Sequence, residues 1–94
     1  MEITENAKVV NRLGVHLRAA AELVKTAHKF KCKITVRYQE RSADAKSLID
    51  LVMLGIPYGA VLTLTFEGED AWLASREILG LFQLGFSELE LVAS

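Results

Sequence analysis

KITVRY, residues 33–38, is the stretch whose reading decides the fold. Ile34, Val36 and Tyr38 alternate with Lys33, Thr35 and Arg37, the period of two that gives a strand one buried and one wet face. AVLTLTFEG, residues 60–68, repeats the pattern, with Leu62, Leu64 and Phe66 set against Thr63, Thr65 and Glu67. Parallel strands are covered on both faces and read as unbroken apolar runs, whereas one solvated face belongs to an antiparallel sheet.

Around these two strands the remaining elements fall into place. An initial strand is expected over about residues 3–10. A helix follows over about 17–29, its apolar stripe formed by Ala20, Leu23, Val24 and Ala27 at helical spacing. After KITVRY, residues 39–42 (QERS) read as a turn, followed by a short strand and a brief helix from Ser47 to about Leu54. Gly55 stops that helix, and Pro57 with Gly59 marks a turn. A last helix is expected over about 70–84, on an Ala74, Ile78, Leu81 and Phe82 stripe, ending at Gly85. The order β-α-β-β-α-β-α predicts an α+β domain. It is an open-faced two-layer β-sandwich, with a four-stranded antiparallel sheet and three helices on one face.

Length and composition bound the function. The 94 residues make one small domain with a modest core, too small for a deep catalytic cavity. No segment has the apolar length of a membrane span, and the opening MEITENAKVV lacks the regions of a signal peptide. The single Cys32 has no internal disulfide partner, which fits a cytoplasmic protein. No Cys/His cluster has metal-ligand spacing, so no metal and no cofactor is expected. The net charge of −1 hides a division: residues 1–46 hold ten of the eleven Lys/Arg and five acids, whereas residues 47–94 hold one Arg and seven acids. A basic half, Lys25 and Lys29 included, steers acidic partners. Without stacking aromatics or a nucleic-acid motif, nucleic acid is not among them.

The chemistry concentrates in LGVHLRAAAEL, residues 13–23, where His16 stands at the start of the first helix. The first N–H groups of a helix lack intrahelical acceptors, and the macrodipole adds partial positive charge. That place favours an anion and disfavours an imidazolium, leaving a neutral ring with one nitrogen lone pair free to attack an electrophile. A phosphoryl group on that nitrogen would meet the N–H groups of Leu17 and Arg18 and the Arg18 guanidinium. Gly14 lets the backbone pass closely. Spacing alone leaves a plainer reading open, in which His16 caps a helix and Arg18 is a solvated charge.

NRLGVHLRAAAELV, residues 11–24, resembles the active-site signature of the HPr family, the histidine-containing phosphocarriers of the bacterial sugar phosphotransferase system. AKSLIDLVMLGIPYGAVLTLTFEGED, residues 45–70, looks like the family's second signature, and the likeness runs from about residue 3 to 88. The resemblance implies a phosphocarrier domain over residues 1–88, with 89–94 as a C-terminal extension. It implies that His16 accepts a phosphoryl group through Nδ1 from Enzyme I, which phosphoenolpyruvate charges, and passes it to a histidine of IIA proteins. Arg18 would stabilise the phosphate. The chain would be a monomer and a group carrier rather than a self-contained enzyme, since no second general base is in reach of His16. Two departures stand beside the site: Ala19 replaces the usual Pro, and Leu17 occupies a position often filled by a small residue.

Ser47 and Asp50 have the spacing of a capping box. By the same resemblance Ser47 is the residue phosphorylated by HPr kinase/phosphorylase. Asp50 replaces the family's usual Gly, and its carboxylate would repel a phosphoserine. The helix SLIDLVML is too apolar for one face to bury. With Leu51 and Leu54 turned to the core, Leu48, Ile49 and Val52 are left outside, joining Leu17 as the surface that docks partners. Trp72 and Leu73 lie off the last helix's stripe, and Phe86, Leu89 and Leu91 alternate in a tail expected to fold over them or to contact another subunit. Cys32 and His28 read as structural. An alternative keeps the same chemistry at His16 in a regulatory or nitrogen-branch relative that acts by phosphorylation-dependent binding. A further alternative is a pure binding module.

Overall fold

The computed structural model describes residues 1–88. Its sheet runs in the order β1 (Glu2–Lys8), β4 (Val61–Glu67), β2 (Lys33–Tyr38), β3 (Arg41–Asp44), with every neighbouring pair antiparallel. β1 and β2, both antiparallel to β4, are parallel to each other, so the chain crosses over between them through α1 (Leu17–Ala27). A second crossover, α2 (Leu48–Met53), joins β3 to β4, and α3 (Ala71–Gln83) closes the layer of three helices. The α+β architecture expected from the element order is the one observed.

The alternation in KITVRY and AVLTLTFEG sets the inner face: Ile34, Val36, Leu62, Leu64 and Phe66 are buried and belong to one core cluster with residues of the helices. Pairing Val36 with Leu64 and Ile34 with Phe66 keeps the apolar sets of β2 and β4 in register. From the helices come Ala20, Leu23 and Ala27 of α1, Leu51 of α2, and Ala74, Ile78 and Phe82 of α3. Val24 and Leu81, expected in the stripes, pack at the margin of this core.

Several expectations need correction. α1 stops at Ala27, two residues early, because the N–H of Lys29 turns to the carbonyl of Thr26 and tightens the last turn. β3 begins at Arg41, since Tyr38 and Arg41 pair across a two-residue hairpin loop whose first residue, Gln39, has φ of +57°. Only half of the capping box forms: Ser47 Oγ accepts from the N–H of Asp50 at 3.4 Å, whereas the N–H of Ser47 donates to the Asp44 carbonyl. Asp70 stands at the start of α3 without capping it through its side chain; its carboxylate accepts from the N–H groups of Lys31 and Cys32 at 2.8 and 2.9 Å. Leu48, expected outside, is half-buried against the core.

The segment after α3 differs most. Gly85, Phe86 and Ser87 form a single 3₁₀ turn with φ of +59°, +54° and +63°, so Phe86 is not part of an alternating run. Its ring is buried edge-on against Phe82, centroids 5.0 Å apart. Trp72 and Leu73 are exposed, and the guanidinium of Arg76 stacks over Trp72 at 4.8 Å. Residues 89–94, the expected extension carrying Leu89 and Leu91, lie outside the described residues.

Candidate functional site

The loop before α1 is shaped by two residues. Asn11 accepts the N–H of Gly14 at its carbonyl, while its buried side chain donates from Nδ2 to the Gly14 carbonyl at 2.8 Å. Gly14 has φ of +70°, and a Cβ built there would lie 2.5 Å from the carbonyl oxygen of Ile56. The next residue, Val15, donates to that same oxygen at 2.9 Å. The loop is therefore pressed against the segment that follows α2, and His16 emerges beside it.

His16 takes the N-cap position of α1 with extended backbone and no side-chain cap. Its carbonyl accepts from Ala20, the first intrahelical donor, which leaves the N–H groups of Leu17, Arg18 and Ala19 ahead of the helical ladder. The ring is 28% exposed. Among the described residues no hydrogen bond reaches its Nδ1, but Nε2 lies 2.5 Å from Oε2 of Glu88.

That carboxylate is the residue the sequence reading missed. Glu88 is 5% exposed and gathers three side chains. Oε2 accepts from Nε and Nη2 of Arg18 at 3.0 and 2.5 Å, as well as facing His16. Oε1 accepts from Nδ2 of Asn11 at 2.9 Å. Burial by itself pushes the carboxyl upward, but hydrogen bonds from Asn11, His16 and Arg18 outweigh it and hold Glu88 below its ordinary range. Nη2 of Arg18 also donates to the carbonyl of Phe86 at 2.6 Å. The guanidinium expected to await a phosphate thus holds a carboxylate. No sequence signal joins Glu88 to His16, 72 positions away; Asn11, three residues before Gly14, carried a weak one as a turn residue.

The apolar surface is largely where it was expected. Leu17, Ile49 and Val52 are exposed. Leu13, Met53 and Tyr58, not singled out from the sequence, add to it around the His16 loop and the end of α2. Leu48 drops out because it is half-buried against the core. The charged halves of the chain intermingle: Lys29 pairs with Glu77 at 3.1 Å, Arg76 with Glu5 at 2.9 Å, and Arg18 with Glu88. Ser47 is half-buried at the start of α2, with Asp50 exposed one turn on. Cys32 is buried, its thiol pushed up by that burial and by Asp70. His28 is exposed, its Nε2 3.2 Å from the Lys46 carbonyl. Among the described residues there is no cluster of His, Cys, Asp or Glu that would hold a metal ion, and no helix long and apolar enough to cross a membrane.

The family model described as the HPr component phosphorylation site of the phosphotransferase system matches residues 3–84, a span that includes His16 and Arg18. This chain belongs to the HPr family of phosphocarriers. The phosphocarrier protein HPr of Xylella fastidiosa is 36% identical over 80 residues, covering 85% of this chain and 90% of that protein. The HPr of Haemophilus influenzae is also 36% identical, over 83% of this chain and 92% of its own length. Among solved structures, an HPr from Thermoanaerobacter tengcongensis superposes with a TM-score of 0.84 at 34% identity, over 94% of this chain and 97% of that one.

Proposed function

We propose that His16 is the phosphoryl carrier of this chain, receiving the group from phosphorylated Enzyme I and delivering it to a histidine of IIA proteins. The observation that carries this reading is the Nδ1 of a partly exposed ring, without a hydrogen bond from the described residues, at the start of α1. In the reaction the Nδ1 lone pair attacks phosphorus and forms an N–P bond. The donor's N–P bond breaks, and its electron pair returns to the donor ring. The N–H groups of Leu17 and Arg18 and the positive end of α1 receive the phosphoryl oxygens. Arg18 adds its guanidinium once it exchanges the Glu88 carboxylate for phosphate.

The site is shallow, which suits a relay: the phosphoryl group is held by a few donors and remains open to the next nucleophile. Leu17, Ile49 and Val52, with Met53, supply the apolar surface on which both partners dock. The test is incubation with phosphoenolpyruvate and Enzyme I. Wild type should gain one acid-labile phosphoryl group, and His16→Ala should gain none. An unchanged mass in wild type refutes the reading, and an acid-stable label redirects it to Ser47.

A further inference from the structure

Glu88 lies four residues beyond the stretch that the family model matches, yet it is the most heavily engaged side chain at the site. Its delivery there is over-determined. Phe86 and Ser87 both sit in the left-handed region, which non-glycine residues occupy only when their surroundings hold them there. Burial of the Phe86 ring, the Arg18 hydrogen bond to the Phe86 carbonyl and the Asn11 hydrogen bond to Glu88 do so. An ionised carboxylate only accepts hydrogen bonds, so an imidazole nitrogen 2.5 Å from it carries the proton.

We propose that Glu88 is the positioning residue for His16: its Oε2 accepts the proton of Nε2, which fixes the ring's orientation and leaves the lone pair on Nδ1. This rests on His16 being the phosphoryl acceptor, and it adds how the acceptor nitrogen is chosen. A neutral imidazole has two tautomers, and the hydrogen bond made by one nitrogen decides what the other can do. With Nε2–H held, attack by Nδ1 forms the new N–P bond while the proton stays on Nε2. The ring gains positive charge as the donor ring recovers its electron pair. The buried carboxylate facing Nε2–H stabilises that charge, as the aspartate of a hydrolase triad stabilises its imidazolium.

The decisive measurement is made on the unmodified chain: long-range ¹H–¹⁵N correlation of the His16 ring at a pH where it is neutral. The Nε2–H tautomer is expected, and a predominant Nδ1–H tautomer overturns the proposal. Two variants extend the test. Glu88→Ala should lose the tautomer preference and slow phosphoryl transfer from phosphorylated Enzyme I by about tenfold or more, the usual penalty for removing the partner that orients a functional histidine. Glu88→Gln keeps an acceptor oxygen without the charge, so it should retain more of the tautomer bias and still transfer slowly. A purely structural Glu88 would lower the melting temperature while tautomer and transfer rate, measured on folded protein, stayed as in wild type; that result also overturns the proposal. If wild type accepts no phosphoryl group at all, the phosphocarrier reading fails, and the tautomer measurement still decides whether Glu88 orients the ring.

Discussion

Replacing Gly14 by alanine tests whether the His16 loop depends on close backbone contact. The residue has φ of +70°, and a Cβ there would lie 2.5 Å from the Ile56 carbonyl oxygen and 3.0 Å from Cα of Pro57. Placing alanine in the left-handed region costs about 1–2 kcal/mol. The contact is far inside van der Waals distance and both neighbours are backbone, so the loop must separate from Ile56. That endangers the Val15 hydrogen bond to the same oxygen, worth about 0.5–1.5 kcal/mol. Gly14→Ala should therefore lose about 1.5–3.5 kcal/mol. Gly55, with φ of +61° and no atom within 4 Å of its would-be Cβ, is the internal control; Gly55→Ala should lose only the conformational part, about 1–2 kcal/mol. Urea denaturation of both variants measures the difference, provided the slope with denaturant stays constant. Equal losses in the two variants would show that the contact with Ile56 contributes nothing.

Phe86→Ala removes a buried ring and the edge-on contact with Phe82, so stability should fall by about 3–5 kcal/mol, with the His16 ring resonances shifting as Glu88 loses its anchor. Glu88 and Asp70 both have their carboxyls held below the ordinary range, Glu88 by Asn11, His16 and Arg18 against the opposing effect of burial, and Asp70 chiefly by the Lys31 N–H. The unfolded chain binds protons there first, so the stability these groups contribute is complete above the ordinary carboxylate range and is lost as pH falls through their folded values. Melting temperature should drop on that acid limb, and Glu88→Gln should flatten it. Ser47→Ala removes a 3.4 Å cap on a six-residue helix; a loss of about 0.5–1 kcal/mol is expected from urea titration.

The local periodicities carried most of the fold. A period of two in residues 33–38 and 61–67 placed Ile34, Val36, Leu62, Leu64 and Phe66 inward before any tertiary contact was known. It works because side chains on a strand alternate whatever the strand pairs with. Leu51 and Leu54 were legible as core for the analogous reason on a helix. The place of His16 at the start of a helix was legible because the first turn follows from local pattern, but that Arg18 would bind Glu88 there was not.

What lay beyond the sequence was every contact between distant segments. The charge division between the two halves of the chain mattered little once Arg18, Lys29 and Arg76 found acids in the opposite half. Leu48 looked exposed because its own helix could not bury it, yet it packs at the edge of the core. Glu88 read as one acid in an alternating tail. Three successive residues with positive φ, two of them not glycine, turn the chain back there, and no propensity favours such a turn until Phe86 has a core to enter and Arg18 a carbonyl to bind. A hydrogen bond spanning 72 residues exists only when the whole sheet and all three helices hold its two ends together.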